Sequence, residues 1–395
     1  MRLLIATDQW SPDVIGGSAR VAAETARALA GRGHEVVVLA PARPDRPSIE
    51  HEGGLELRRM VRRGPFPQTI TDVTETLRLS RRVQRSFDVV VAHQTTNAAG
   101  LLAARLGAPL ALVFHASVPL EQRFMRARLP AGPRAASLLL SPLFVGLEHI
   151  AVRNAAGVLV LSDYSRSLLL GAHPVVEDRV FRVTGGIDPA AVGPAPDRAA
   201  ARRRVGVEPG GHLIVSVRRL EPRMGLEQLL HASAILRAQG LDFTLAVAGD
   251  GILAGPLRRL AADLGLDSSV RFLGRIGEEE LRDLYVAADL AVLPTVAYEG
   301  FGISTIEALA CGTPVVGTPV GATPELLEPL DPGLVAPSAE PQALAAAIVR
   351  TLESTDVTFR ERCATYARSR YAWDRAILAW EAAFEQLALH GPAAS

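Results

Sequence analysis

The alternation of short apolar segments with helical patterns constrains the fold of this chain more than any other feature. An apolar segment at 3–6 precedes a loop, a helical pattern at 21–30 and a second apolar segment at 35–40. A strand, a helix and a strand with short connections form a βαβ unit, whose strands are parallel and whose helices cover the sheet. The N-terminal sequence therefore predicts an α/β domain with a parallel sheet.

The same alternation recurs in two series along the chain. The first series continues with strands predicted at 88–92, 109–114 and 157–162. The second contains strands predicted at 212–217, 243–248, 270–273, 290–293 and 314–316. Between them, a segment rich in proline, glycine and alanine at 185–204 is interpreted as a linker that starts near Ile187. At about 150 residues per domain, the 395 residues are predicted to form two doubly wound α/β domains, at 1–187 and 188–365.

The composition excludes several classes of protein. All 42 basic residues are arginine, which excludes a lysine Schiff base, a lysine general base and a phosphate-binding loop of the G-x-x-x-x-G-K-[ST] type. The formal net charge is +0, so that charge alone does not indicate a nucleic-acid partner. Cys311 and Cys363 match no metal or redox spacing, which favours a reducing cytosol. No apolar run is long enough to predict a membrane-spanning helix.

Positive charge is concentrated in the segment 58–85. Eight arginines stand there against two acidic residues, and they are Arg58, Arg59, Arg62, Arg63, Arg78, Arg81, Arg82 and Arg85. The last four have the spacing of one helical face, with Leu79, Val83 and Phe87 on the opposite side. Two interpretations stay open, a solvated arginine face and contact with an anionic acceptor or membrane surface. Bulky apolar residues among arginines at 123–130 slightly favour a lipid-linked acceptor.

The most specific motif follows the strand predicted at 290–293. Glu299 and Glu307 enclose a glycine-containing loop and the start of a helix near Ile303. The first N–H groups of a helix suit a phosphate, and the two carboxylates can accept hydrogen bonds from sugar hydroxyls. Ligands of open parallel sheets bind beyond the carboxyl ends of the strands, where this loop lies. The alternative interpretation is an ordinary strand–loop–helix with solvated glutamates.

Four motifs together resemble one enzyme family. The sequence E-G-F-G-I-x-x-x-E at 299–307 resembles the E-x7-E motif of family 4 retaining glycosyltransferases with the GT-B fold. The glycines at 16–17, the sequence VSVRRLEPRMGLEQLL at 215–230 and AGDGILAGPL at 248–257 resemble the family's glycine loop, basic phosphate motif and nucleoside turn, in the same order. The resemblance covers nearly the whole chain. It implies two Rossmann-like domains that face a cleft, with the acceptor on the first and the nucleotide sugar on the second.

The resemblance also implies the role of each residue in the second domain. Glu307 would bind the ribose hydroxyls of the nucleotide, and Glu299 would bind hydroxyls of the donor sugar. The backbone of Phe301, Gly302 and Ile303 would lie against the sugar and its diphosphate. Gly249 would form the turn beside the nucleoside.

In the first domain, the resemblance implies a contribution to the same donor. Gly16 and Gly17 would let the first loop approach the diphosphate, and His115 would lie beside the donor sugar. The final helical segment at 366–395, with Trp373 and Trp380, would pack back on the first domain.

The basic motif departs from the family at one position. Arg219 matches the family's phosphate-binding arginine and would stabilise the charge on the leaving diphosphate. Five residues later the family commonly has lysine, whereas this chain has Met224. Either Arg218 or Arg223 supplies the second positive charge, or one phosphate contact is weaker.

The implied reaction is hexosyl transfer from a nucleoside diphosphate sugar to an acceptor hydroxyl, with retention of the anomeric configuration. The acceptor is expected to be a glycan, a lipid or a small molecule, and no protein nucleophile is assigned. No Asp-x-Asp sequence occurs, so that no metal and no cofactor are expected. The alternatives are a non-catalytic partner subunit, a sugar-nucleotide epimerase with the GT-B fold and a retaining sugar phosphorylase. The expected location is the cytoplasm, with peripheral contact at the inner face of the membrane through the segment 58–85.

Overall fold

The chain divides into two compact units. The computed structural model describes residues 1–13, 16–61, 68–83, 85–126, 131–188, 198–206 and 211–391. The first unit is Met1–Gly185 together with Trp373–Ser395, and the second is Gly186–Ala372. The division therefore falls two residues before the predicted position 187, and the second unit continues to Ala372 rather than to 365. The predicted linker residues 189–197 lie outside the described residues.

The first unit contains an eight-stranded sheet in the order β3-β4-β2-β1-β5-β6-β7-β8. Its strands are β1 (Arg2–Ala6), β2 (Glu35–Pro41), β3 (Ile49–Glu52), β4 (Leu55–Met60), β5 (Val89–Ala92), β6 (Leu110–Phe114), β7 (Gly157–Val160) and β8 (Val180–Arg182). All neighbouring pairs are parallel except β3 and β4, which form an antiparallel hairpin at one edge. Strands β1, β2, β5, β6 and β7 have few exposed residues, because helices cover both faces of the sheet.

Helices connect the strands of the first unit. They are α1 (Gly17–Gly31), α2 (Gln68–Arg82), α3 (Thr95–Ala104), α4 (Val118–Arg126), α5 (Ala131–Asn154) and α6 (Asp163–Ala172), followed by a 3-10 helix at Pro174–Arg179. Leu79, Val83 and Phe87, which lie on the side opposite the arginines, pack against the core of this unit.

The arginines of the segment 58–85 are largely paired with carboxylates. The ion pairs are Arg58–Glu56, Arg59–Glu50, Arg78–Glu75 and Arg85–Glu35, with N–O distances of 2.6, 2.6, 2.9 and 2.9 Å. Arg59 also contacts Asp13, and its side chain is only 3% exposed. Arg62 and Arg63 lie outside the described residues. Among the described arginines of this segment, Arg59 is therefore a buried residue and not part of a solvated face.

The second unit contains a five-stranded parallel sheet in the order β11-β10-β9-β12-β13. Its strands are β9 (His212–Val217), β10 (Phe243–Ala248), β11 (Val270–Gly274), β12 (Leu290–Leu293) and β13 (Val315–Gly317). Its helices are α7 (Arg198–Arg204), α8 (Leu226–Ala238), α9 (Ala254–Asp263), α10 (Glu278–Ala287), α11 (Ile303–Ala310), α12 (Thr323–Leu327), α13 (Pro341–Ser354) and α14 (Val357–Tyr371). The two parallel sheets confirm the predicted fold class. None of the described helices is both long enough and apolar enough to cross a membrane.

The last helix, α15 (Trp373–His390), belongs to the first unit and contacts α1 and β5. Trp380 anchors it, because its side chain is fully buried and its Nε1–H donates to the carbonyl oxygen of Thr184 at 2.9 Å. The Trp380 ring also packs edge-to-face against Phe384. The final helix is thus held by apolar burial together with one satisfied polar group.

We expect Trp380→Ala to lower the free energy of unfolding by about 3–5 kcal/mol, because it leaves a cavity and an unsatisfied carbonyl in a packed core. Leu378→Ala is the matched control, since Leu378 lies on the same helix and is 49% exposed. Urea unfolding followed by far-ultraviolet circular dichroism measures both. Equal losses in the two variants would contradict this anchoring role.

Candidate functional site

The second sheet reverses its strand order beside its central strand. From β9 the chain proceeds to β10 and β11 on one side and later to β12 and β13 on the other. Such a reversal opens a crevice outside the carboxyl ends of the strands, where open α/β sheets bind ligands. Arg218 directly follows β9, Gly249 follows β10, and Thr295 lies two residues after β12.

Three side chains meet at this crevice and form what we name the arginine cluster, namely Arg218, Thr295 and Glu299. One terminal nitrogen of Arg218, Nη1, donates to Thr295 Oγ1 at 2.5 Å, and the other, Nη2, contacts Glu299 Oε2. Thr295 Oγ1 in turn donates to Glu299 Oε2 at 3.3 Å. The Arg218 side chain is 4% exposed and that of Glu299 is 13% exposed, so that the pair is nearly withdrawn from water.

The Arg218 guanidinium of this cluster stays positively charged although it is buried. Burial lowers the pKa of the Arg218 guanidinium, and the charge of Glu299 opposes that change. An arginine side chain has five N–H donors and stays protonated in proteins. Within the described part of the chain, Thr295 and Glu299 occupy two of them. The other three donors belong to a side chain that is only 4% exposed.

The neighbouring basic residues are oriented differently. Arg219 is 41% exposed and donates to Glu221 at 3.1 Å, so the structure does not bring it to Glu299. Arg223 is buried and donates to the carbonyl oxygen of Tyr298 at 2.8 Å. Met224 is also buried, in a short 3-10 helix at Pro222–Met224. The sequence did not indicate that Arg218 is buried whereas Arg219 is exposed.

The loop between β12 and α11 has an unusual backbone. Tyr298 adopts a φ of 56°, a left-handed conformation that costs a residue with a side chain about 1–3 kcal/mol. Arg223 supports this loop, because its carbonyl oxygen accepts from the N–H of Val296 at 3.0 Å. The strained residue directly precedes Glu299 and helps to aim that carboxylate. No sequence signal indicated the strain at Tyr298.

Helix α11 begins at the end of this loop. Gly302, with a φ of 95°, stands at the N-cap, and the first-turn N–H groups of α11 lie beyond it. Phe301 and Ile303 are buried, and the ring of Phe301 packs edge-to-face on Tyr371 at 6.0 Å. Their side chains therefore serve the core of the unit, while a ligand at this point would meet the backbone. Glu307 is 7% exposed in the second turn of α11.

Gly249 is required by the turn after β10. Its φ is 136°, and a Cβ atom there would lie 1.8 Å from the carbonyl oxygen of Arg218. Any side chain at this position would therefore displace the backbone that carries Arg218. The glycine keeps the arginine cluster in place.

In the first unit, two histidines follow neighbouring strands. His93 comes directly after β5 and His115 after β6, and His93 Nδ1 lies 3.1 Å from His115 Nε2. Burial lowers the pKa of His115 to about 4, and that of His93 falls well below its usual value for the same reason and because of His115. Both rings are therefore neutral at pH 7 and share one hydrogen bond. The sequence analysis did not identify His93 as a site residue, although His93 follows β5 directly, as His115 follows β6.

The glycines of the first loop have free space around them. Gly16 has an extended φ of 170°, and a Cβ atom there would meet only Gln9 Oε1 at 3.6 Å among the described residues. A Cβ atom on Gly17 would meet no described atom within 4 Å. Among the described residues, therefore, no close packing requires glycine at either position. Asp13, in the same loop, is held by the buried Arg59.

Together, the second unit offers a cation, two carboxylates and a helix N-terminus at the crevice of its sheet. This combination can bind an anionic group and hydroxyl groups at the same time. In the part of the chain that the structure describes, no three His, Cys, Asp or Glu side chains are grouped so that they could hold a metal ion.

Comparison with known proteins agrees with this architecture. The chain matches the family model described as Glycosyltransferase Family 4 over residues 15–191 and the model described as Glycosyl transferases group 1 over residues 197–370. A D-inositol 3-phosphate glycosyltransferase of Pseudarthrobacter chlorophenolicus is 31% identical over 315 residues, which cover 75% of this chain and 73% of the relative.

Solved structures show the same fold over the whole length. Sucrose-phosphate synthase from Thermosynechococcus elongatus has a TM-score of 0.83 at 21% identity, and the match covers 98% of this chain and 99% of that one. HepE of Anabaena, solved in complex with UDP and glucose, has a TM-score of 0.75 at 21% identity, with 98% and 100% covered. The chain therefore belongs to the family 4 glycosyltransferases and is a glycosyltransferase with the GT-B fold.

Proposed function

We propose that this glycosyltransferase moves a hexosyl group from a nucleoside diphosphate sugar to an acceptor hydroxyl, with retention of the anomeric configuration and without a metal. The second unit binds the nucleotide sugar, and the first binds the acceptor. The observation that carries the proposal is the arginine cluster at the crevice of the second sheet. It combines a buried cation with a carboxylate, beside the N-terminus of α11.

Arg218 takes the diphosphate role in this proposal. The sequence resemblance gave that role to Arg219, but Arg219 is 41% exposed and donates to Glu221. Arg218 is buried against Glu299, at the point where the sheet order reverses. A buried guanidinium stabilises the charge of a leaving diphosphate more strongly than a solvated one does, because water screens it less. Arg223 fixes the loop through Tyr298 and supports the site indirectly.

The two glutamates divide the recognition of hydroxyl groups between them. Glu299 lies within the arginine cluster and is assigned to the donor sugar, which is bonded to the diphosphate. Glu307 lies eight positions further along the chain, in the second turn of α11, and is assigned to the ribose. The backbone N–H groups of Gly302 and Ile303 would donate hydrogen bonds to the phosphate oxygens, and the turn at Gly249 would face the nucleoside.

The first unit contributes a neutral histidine and an open loop. Because burial lowers the pKa of His115 to about 4, its neutral imidazole can form a hydrogen bond with a sugar hydroxyl without adding positive charge. His93 fixes the orientation of that ring through the bond at 3.1 Å. Gly16 and Gly17 leave room for an oxygen-rich ligand beside the first loop.

Chemistry in this proposal depends on the leaving group. As the bond from the anomeric carbon to the diphosphate breaks, Arg218 stabilises the charge that develops on the phosphate oxygens. A phosphate oxygen accepts the proton of the acceptor hydroxyl, which attacks the anomeric carbon from the same face. The configuration is therefore retained, and no side chain acts as a nucleophile.

The acceptor is proposed as a lipid-linked group, a glycan or a small polyol. The names of the relatives include an inositol phosphate and a sugar phosphate as acceptors or products. For the segment 58–85, Arg58, Arg59, Arg78 and Arg85 are paired with carboxylates, so that a membrane contact there would depend on the exposed Arg81 and Arg82.

We expect Arg218→Gln to lower kcat by at least about a hundredfold, the usual loss when one donor to a developing charge is removed. Arg219→Gln, the matched control one position away, should stay within about threefold of the parent. Initial rates are measured with the nucleotide sugar that stabilises the protein most in a thermal-shift panel. A large loss confined to Arg219→Gln would show that the resemblance had identified the correct arginine.

The two glutamates should respond differently to ligands. Glu307→Gln should weaken the binding of the free nucleoside diphosphate and of the nucleotide sugar alike, by about tenfold or more, because a charge-assisted hydrogen bond to the ribose is lost. Glu299→Gln should weaken the binding of the nucleotide sugar much more than that of the free nucleotide. Calorimetry measures both, with the exposed Glu328→Gln as a control. If the parent bound no UDP- or GDP-sugar at all, a non-catalytic partner subunit would replace this proposal.

Gly17→Ala should weaken the binding of the nucleotide sugar without lowering the stability of the protein. The added methyl group meets no described atom and favours the helix, so the free energy of unfolding should stay equal or rise by up to about 1 kcal/mol. Nucleotide-sugar affinity should fall at least tenfold. Gly31→Ala, at the other end of α1 and equally free of contacts, is the control and should bind normally. Unchanged affinity in Gly17→Ala would remove this loop from the donor site.

A further inference from the structure

Helix α5 exposes an apolar surface to solvent. Its exposed large apolar residues are Leu138, Leu139, Leu140, Leu143, Val145 and Ile150, of which Leu139 is 82% exposed and the others are 43–52% exposed. A helix on a protein surface normally turns its polar face outward and its apolar face to the core. Helix α5 instead presents these six large apolar side chains to solvent, so that this part of its surface is suited to an apolar environment. We name these six residues the leucine face.

Three residues of the leucine face form a row along the helix, and the other three lie to either side of it. Leu139, Leu143 and Ile150 are separated by four and seven residues, which aligns them along one side of the helix. From Leu138 to Ile150 the leucine face is about 18 Å long at 1.5 Å per residue. An isolated exposed leucine needs no explanation, whereas an apolar surface of this length marks an interaction surface.

Charges lie at the two ends of the leucine face. No charged residue occurs from 135 to 147, and Glu148 is buried, where it accepts from Ser117 Oγ at 3.0 Å and from the N–H of Val118 at 2.9 Å. Arg134 precedes the leucine face, and Arg126 joins it from α4 by donating to Ser137 at 3.3 Å. Arg153 follows its far end. The surface is therefore apolar in the middle and cationic at both ends.

We propose that the leucine face docks onto an anionic phospholipid bilayer. Leucines enter the boundary between headgroups and acyl chains, while arginines at the same level bind lipid phosphates. A second copy of the chain fits less well, because two-fold pairing of antiparallel α5 helices would bring the cationic end of one beside the cationic end of the other. This surface is separate from the segment 58–85, whose described arginines are largely paired within the unit.

Flotation of the full chain with vesicles tests the proposal. The parent should bind to vesicles that contain both phosphatidylglycerol and phosphatidylcholine. Its binding to vesicles of phosphatidylcholine alone should be at least tenfold weaker. The double variant L139E/L143E should lose at least tenfold in partition to the anionic vesicles. The matched control is L378E/L389E, which places the same changes at residues 49% and 86% exposed on α15 and should bind as the parent does. Circular dichroism checks that each variant is folded.

Three outcomes would overturn the proposal. They are no binding of the parent to anionic vesicles, equal binding of the parent and L139E/L143E, and a parent dimer that this variant converts to monomers without any vesicle binding. If the double variant is poorly folded, Leu139→Ser, at the most exposed position, should still lower binding at least threefold. The readout contains no sugar nucleotide, so it is independent of the donor assignment.

Discussion

The buried contact between Arg218 and Glu299 is the interaction on which the account of this protein depends. Taking an ion pair out of water costs free energy that its own attraction offsets only when further hydrogen bonds support it, as Thr295 does here. Apolar residues would stabilise such a place at least as well. The pair lies where the sheet order reverses, which is where open α/β sheets bind ligands. We therefore interpret it as a binding feature that the fold tolerates.

Much of the surrounding chain holds this contact in position. A side chain at Gly249 would strike the carbonyl oxygen of Arg218, and Arg223 supports the strained backbone at Tyr298, next to Glu299. The site is thus organised before any ligand arrives. Preorganised charges of this kind lose little free energy to rearrangement when charge develops in a reaction.

The sequence predicted the sheet of the second unit well and the edge of the first sheet poorly. Strand β12 is buried along its whole length and is therefore a plain apolar run. The edge hairpin β3–β4 was missed, because β3 is mostly exposed and carries charged residues. Which of Arg218 and Arg219 is buried depends on β9 ending at Val217, and such boundaries are the least certain part of a sequence-based prediction. The bond between His93 and His115 and the exposed face of α5 depend on tertiary contacts, which a periodic pattern does not encode.

The configuration of the product tests the central claim most directly. The nucleotide sugar that stabilises the chain most would be incubated with candidate acceptors, and the anomeric proton of the product would be examined by NMR. We expect a product with the same anomeric configuration as the donor. A product of inverted configuration, or an epimerised nucleotide sugar without transfer, would contradict it.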